Sequence, residues 1–509
     1  MSRKYRILFI LFSICMVSAC LASCNTKKVN ARSVKTADNI VTESPAPENL
    51  LLETEEESKQ NRITQNTFAF DCHLHVLQIN HVAWSAYISY VEKNPLEQSM
   101  SVMSAQDYIF KDLFQTTKSS RNLLAVMERS ASDILRLYEQ DLSGKYEVTT
   151  TKIESDPITS SLKDAFKTTQ ESITGTTIID TVQMKDFPFI SDQGFSMLGT
   201  TYSHLVISPL IMDFDIQNTV LNTYYRDSPP HDVEAQGYDV LNGIHEYSSS
   251  SPEGKLIIRP FMGINPSSWN KEDLADFLDR YFGSWSGKKN DVLSAWRRAA
   301  YTEAVKGKPY ANAFAGIKLY PPLDFNPFPS NPEEWEKLDY LYTFCEEKGI
   351  PIITHCDDQG FRIVPQSSSY EWTSPDQWEK VLARHPNLYL DIAHFGNQYT
   401  VTNLRRKQTV WRDKIIELML KYPNVYADVA FNGVDTAYWD ELQVLLNNFS
   451  PAVRSVVSQR LLFGTDWPLT LLKMESLTAY YRGFEKSSLG LDTKQKMISD
   501  NPYNFYFRD

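Results

Sequence analysis

Past residue 66 the chain alternates between short runs of β-branched and aromatic residues and longer stretches whose apolar positions recur at helical spacing. The short runs fall at 68–77, 205–212, 256–264, 314–320, 351–355, 388–394, 425–430 and 461–465, eight in all. Helices are predicted between the later ones, at 332–348, 374–384, 403–421 and 435–448. The first has an acidic start, apolar residues at Trp335, Leu338, Leu341, Tyr342 and Cys345, and Gly349 as its stop. Strands that are apolar throughout and alternate with helices predict a parallel sheet covered on its outer face. Eight such units predict an α/β fold of the closed (β/α)8 TIM-barrel type rather than an open sheet.

The spacing breaks once. More than 120 residues separate the first run from the second. Stretches within them, at 104–113 and 121–142, have helical patterning. This predicts a large, mainly helical insertion at about 80–200. Loops that follow barrel strands emerge at the C-terminal mouth, so the insertion is expected to lie over it. A second insertion is expected at 213–255. There is no internal repeat.

The N-terminus reads differently. Arg3, Lys4 and Arg6 precede an apolar run from Ile7 to Val17, then Leu21-Ala22-Ser23-Cys24. A basic start, a short apolar core and small residues predict a secretory signal at 1–23. Leu-Ala-Ser-Cys resembles the bacterial lipobox, which implies lipidation of Cys24 and an extracytoplasmic protein anchored to a bacterial membrane. Residues 24–66 are polar and aperiodic, with Ser44-Pro45-Ala46-Pro47 and an acidic run from Glu53 to Glu57. They read as a flexible tether reaching roughly 35 Å, ahead of a catalytic barrel at 67–509.

Composition narrows the class. Hydrophobic residues make up 42% of the chain, enough for a large core. The net charge of −12, with no basic stripe, argues against nucleic acid as a partner. The few cysteines rule out a disulfide framework in an exported protein of this length.

Chemistry in a barrel belongs at the C-terminal ends of its strands. The first run contains Asp71-Cys72-His73-Leu74-His75. Strand residues two apart share a face, so His73 and His75 can bind one divalent ion together, while Cys72 should point away from the axis. On its own, His-x-His is as well explained by two hydrogen-bonded core histidines. The fifth run ends at His355, the sixth at His394, and the eighth leads into Asp466. A buried, unpaired carboxylate at Asp466 is costly, and a metal resolves that cost.

At this point the chain resembles the amidohydrolase superfamily. Within it the likeness is to the amidohydrolase-related group, which includes aminocarboxymuconate-semialdehyde decarboxylase and pyrone-dicarboxylate lactonase. The motifs are Phe70-Asp71-Cys72-His73-Leu74-His75, Gly316-Ile317-Lys318-Leu319-Tyr320-Pro321, Pro351 to His355, Leu390 to Gly396, Leu462 to Pro468, and Asp500-Asn501-Pro502 near the end. The resemblance implies that His73, His75, His355 and Asp466 hold the metal, usually zinc, and that Asp466 and His394 are catalytic. It implies one ion, or two if Lys318 is carbamylated. A contact to a substrate carboxylate and a structural ion pair are the other readings of Lys318.

Arg259, Asp213 and Asp215 are further candidates for substrate binding. His81, His204, His231, His245 and His385 match no ligand position. The expected activity is hydrolysis of a C–N or C–O bond (amide, lactone or cyclic imide) of a small molecule. The alternative is non-oxidative decarboxylation of an aromatic or unsaturated acid; a non-catalytic surface binding protein is less favoured. The expected partners are a small-molecule substrate and, through the N-terminal lipid, a membrane. A homodimer is left open.

Overall fold

The computed structural model describes residues 67–82, 123–149, 179–183, 188–214, 231–299, 307–358, 360, 362, 364–401 and 407–508. The expected signal, tether, helix at 104–113 and Asp215 lie outside them.

Eight parallel strands line up in chain order: β1 (Phe68–Leu74), β2 (His204–Pro209), β3 (Leu256–Ile258, resuming as Phe261–Gly263), β4 (Gly316–Leu319), β5 (Ile352–Thr354), β6 (Leu390–Ile392), β7 (Val425–Asp428) and β8 (Leu461–Leu462). Each pairs with the next. The ring closes between last and first. Cys72 donates its N–H to the carbonyl of Phe463 at 2.9 Å, Thr465 donates to that of His73 at 3.1 Å, and Leu74 bridges Trp467. Pro260 explains the break in β3, because it has no N–H to donate. Arg259 still pairs with β2, and the Pro260 carbonyl accepts the N–H of Ala315 ahead of β4.

Helices cover the outside: α1 (Ala131–Leu142), α2 (Val233–Ser250), α3 (Lys271–Phe282), α4 (Pro332–Lys348), α5 (Pro375–Leu382), α6 (Val410–Lys421), α7 (Ala437–Asn448) and α8 (Leu477–Lys486). Helix α4 shows why these segments are helical. Asn331 caps it by accepting the N–H of Glu333 at 2.9 Å, Pro332 follows, and Gly349 ends it in the left-handed region at φ 69°.

Parts of the two expected insertions belong to the barrel itself. Helix α1 packs between α2 and α8, so it is the barrel's own first helix. The following segment adds antiparallel strands, among them Gly194–Met197 and Thr200–Tyr202, which the helical pattern did not suggest. They lead to Ser203, whose N–H bonds the carbonyl of Thr67 at the N-terminal end of β1. Of the described part of the first insertion, the short helix Leu123–Met127 packs at the mouth with Met212, Phe214, Leu323 and Val364 from the loops after β2, β4 and β5, while the segment after α1 runs down the barrel's side to its base. Residues 233–250 of the expected second insertion are α2 itself.

One irregularity in β1 sets up the site. The pairing of β1 with β2 shifts register between Asp71 and Leu74. Before it, Phe70 and Cys72 pack inside the barrel with Val206, Ile257, Ile353 and Tyr426. After it, Leu74 and Val76 pack outward with the helices, which leaves His73 and His75 facing in. Strict alternation would have put Cys72 and His73 on opposite faces; the bulge puts both inside. Cys72 thus lies in the barrel interior, against expectation, above a plug formed by Tyr506 and Phe507.

Candidate metal centre

The inward positions of β1, β4, β5, β6, β7 and β8 converge on a cluster of buried polar side chains. His73, His75, Lys318, His355, Asp391, His394, Asp428 and Asp466 are all below a tenth exposed. Two of them depend on unusual backbone. His394 and Asp466 both have φ of 60°, the left-handed region that L-residues enter at a cost of order 1–3 kcal/mol. Gly464 lets β8 approach β1: a Cβ there would sit 2.8 Å from the Cβ of His73.

Hydrogen bonds fix the imidazole tautomers. The Nδ1 of His75 lies 2.8 Å from the carbonyl oxygen of Leu210, which can only accept. The Nδ1 of His73 lies 2.7 Å from Oδ2 of Asp428. Burial drives the pKa of His73 down to about 4, so the ring is neutral at working pH and donates through Nδ1. In the neutral tautomers these contacts select, both Nε2 atoms present lone pairs. They face one atom, Oδ1 of Asp466, at 3.6 Å from His73 and 3.2 Å from His75. That oxygen is buried and accepts no hydrogen bond. Two imidazole lone pairs and a carboxylate oxygen thus converge with no proton between them. This donor set fits a divalent cation.

His355, the expected fourth member, stands apart from that trio. It groups instead with His394 and Asp357. Its ring stacks on Tyr320 with centroids 4.4 Å apart, and its Nδ1 lies 3.2 Å from Nε2 of His394. The Nδ1 of His394 faces the carbonyl of Ala430 at 3.0 Å. The Nε2 of His355 pairs with Oδ1 of Asp357 at 3.3 Å.

Lys318 projects from β4 into the same cavity. Burial lowers its pKa to about 8, against the opposing pull of Asp428, Asp466, Asp391 and Asp357. The other candidates lie elsewhere. Arg259 is at the barrel base, donating to the carbonyl of Asn312 at 2.8 Å near Tyr506, so it is no rim contact for a substrate. Asp213 accepts the N–H of Asn265 at 2.8 Å and braces the loops after β2 and β3. His385 bonds Asp339 and Glu346 on α4, a structural role.

Asp428 and Asp391 were not among the candidates. Asp428 is fully buried and accepts from His73, from the N–H of His394 at 3.0 Å and from that of Ala430 at 2.9 Å. These partners outweigh burial and hold its carboxyl well below the usual range. Asp391 is pushed well above that range, first by burial and then by Asp428. Asp428 ends β7 in an apolar run already recognised as a strand; the rule that chemistry gathers at strand ends would have picked it out.

The chain thus brings a His-x-His pair on β1 and an aspartate after β8 together at the mouth of a closed (β/α)8 barrel. Residues 293–508, somewhat over two-fifths of the chain, match the family model described as amidohydrolase. That segment runs from just before β4 to the C-terminus and holds Lys318, His355, His394, Asp428 and Asp466. No curated protein matches. Solved structures similar to this chain include a probable 2-pyrone-4,6-dicarboxylic acid hydrolase from Acinetobacter baumannii, at 15% identity over 60% of this chain and 84% of that one, with a TM-score of 0.33. A 5-carboxyvanillate decarboxylase from Novosphingobium aromaticivorans, complexed with manganese, is 9% identical over 87% and 96% of the two chains, with a TM-score of 0.36. An amidohydrolase from Burkholderia multivorans with bound zinc is 12% identical over 60% and 83%, with a TM-score of 0.32. At these scores none of the three bears on activity here.

Proposed function

We propose that the protein is a metal-dependent hydrolase that cleaves a C–N or C–O bond, in an amide, lactone or cyclic imide of a small molecule. The observation that carries this reading is the convergence of His73 Nε2 and His75 Nε2 on the unpartnered Oδ1 of Asp466. These three residues would hold a divalent ion of the zinc type, with His355 turning in as a further ligand. When bound, such an ion supplies Lewis-acid activation of water and of a carbonyl. The chain supplies the rest. Asp466 has a second carboxylate oxygen with which to accept a proton and return it to the leaving group. His394, with Nδ1 held by the Ala430 carbonyl, would act through Nε2 as an acid–base group on the substrate or the activated water. Buried walls exclude bulk water.

A second reading, decarboxylation of an aromatic or unsaturated acid, is favoured by Lys318. Its buried ammonium stands beside the cluster and can orient a substrate carboxylate. Assaying the zinc-loaded protein against a panel of lactones, amides and aromatic acids, with and without chelator, separates the two. Chelator-sensitive release of CO2 without hydrolysis would replace the first reading by the second. Activity indifferent to chelation would remove both.

We also infer, from the N-terminal sequence alone, that Cys24 is lipidated and anchors the enzyme outside the cytoplasm. Among the described residues no helix is long and apolar enough to cross a membrane. Substituting Cys24→Ser should abolish labelling by a fatty-acid analogue and release the protein from the membrane fraction; unchanged labelling would refute the anchor.

A further inference from the structure

A second cluster of two histidines and a carboxylate lies outside the catalytic group and shares no residue with it. His81 ends the 3-10 turn Ile79–His81 that follows β1. His231 stands just ahead of α2, and Asp239 lies on that helix. The Nε2 of His81 is 3.0 Å from Oδ2 of Asp239, and the Nδ1 of His231 is 2.6 Å from the same oxygen. The three side chains come from three segments, and backbone contacts fix their relative positions. The N–H of His231 bonds the carbonyl of Asn80 at 3.1 Å, and the side-chain amide of Gln236 bonds the carbonyl of His231 at 3.2 Å.

We propose that His81, His231 and Asp239 form a second divalent-cation site, of the two-histidine, one-carboxylate class that takes zinc and neighbouring first-row ions. Both imidazoles aim one nitrogen at a single carboxylate oxygen. A divalent ion at that focus takes the place of the N–H protons shared there, and each ring keeps its proton on its other nitrogen. Exposure is graded as such a site requires. His81 is buried and forms the back wall, while the side chains of His231 and Asp239 are 37% and 25% exposed and leave the outer face open to water. Burial favours the neutral form of His81. Burial acts to raise the Asp239 carboxyl, but hydrogen bonds from the two imidazoles outweigh it and keep the group anionic.

One contact competes. The N–H of Gln78 reaches Nδ1 of His81 at 3.4 Å, the long limit of a hydrogen bond. Metal binding moves the ring proton to Nδ1 and gives that weak contact up. Occupancy would tie the turn after β1 to α2 across the barrel rim, which is a structural rather than a catalytic task.

The test counts metal. Full-length protein is stripped with chelator, dialysed against buffered free Zn2+ and analysed for zinc per chain by mass spectrometry. His231→Ala and Asp239→Asn are each expected to bind one equivalent fewer than the unaltered chain, and to keep whatever chelator-sensitive activity it has. His231 is partly exposed, so its replacement spares the core; His231→Gln, with circular dichroism, checks that a loss is not misfolding. A zinc count unchanged in His231→Ala and Asp239→Asn overturns the site. So does a single equivalent in the unaltered chain that both variants retain.

Discussion

The Nδ1 of His73 on β1 sits 2.7 Å from Oδ2 of Asp428 on β7, two strands joined only through β8. This contact sets which ring nitrogen faces Asp466. The same carboxylate accepts the N–H of His394, so one side chain orients both a metal-binding candidate and a catalytic candidate. Outer partners of this kind commonly change metal affinity or activity about 10–100-fold when replaced. Asp428→Asn presents an amide that can offer His73 an N–H instead of an acceptor. The expected result is a zinc affinity and a kcat/KM each lower by about that factor, with unchanged far-ultraviolet circular dichroism. An unaltered zinc titration would show that the His73 tautomer does not depend on Asp428.

Holding and acting should separate at His75 and His394. His75→Ala removes a donor of the converging trio and is expected to lose zinc and activity together. His394→Ala leaves that trio intact and should keep its zinc. Its kcat should still fall about 10²–10⁴-fold, the usual yield of a positioned acid–base group. Zinc content and kcat on the same preparations check both. Zinc lost equally from the two variants would make His394 a ligand.

Lys318 gives a pH signature. Its pKa falls to about 8 in the folded chain, from about 10.4 in an unfolded one. Between those values the unfolded state binds more protons, so this group's contribution to stability rises with pH. Below about pH 8 the buried ammonium costs on the order of 3 kcal/mol. Lys318→Met removes that cost. The variant is expected to be more stable than the parent at neutral pH, with the gap closing towards about pH 10, and to lose activity. Urea unfolding at the two pH values measures it. A less stable variant would mean that the ammonium is paired in solution.

How much of this was legible depended on whether the signal was local. The eight strands were, because a strand buried on both faces must be apolar throughout. Helix α4 was too, since Asn331, Pro332 and Gly349 mark its ends in the sequence. The bulge in β1 was not. It arises where β1 meets β2 and β8, and the phase of side chains 72 to 75 follows from that pairing rather than from strict alternation. The same blindness to pairing hid the partnership of His73 with Asp428, separated by 355 positions. It also hid His231, a loop residue matched to no motif until the turn after β1 brings His81 to it. Helix α6 begins later than its pattern predicts, at Val410, because Gln398–Val401 and Lys407–Gln408 first form a small antiparallel pair.

Asp71 and Thr465 fasten the first strand to the last beside the metal candidates. The Thr465 hydroxyl donates to Oδ2 of Asp71 at 2.7 Å and its N–H to Oδ1 at 3.0 Å, while Tyr138 donates to Oδ2 at 2.7 Å. Burial still prevails and pushes the Asp71 carboxyl up to about 7. A carboxyl raised in the fold keeps its proton where the unfolded chain has lost it, so its contribution to stability falls as pH rises from about 4 to about 7. Thr465→Val removes a donor that favours the ionised form. It should cost about 1–3 kcal/mol, more at about pH 8, where Asp71 needs that donor, than at about pH 5, where it is neutral. Thr465 immediately precedes Asp466, so zinc affinity should fall in parallel. Urea unfolding and zinc titration at both pH values test the link; an equal loss of stability at each would show that the hydroxyl does not act through the ionisation of Asp71.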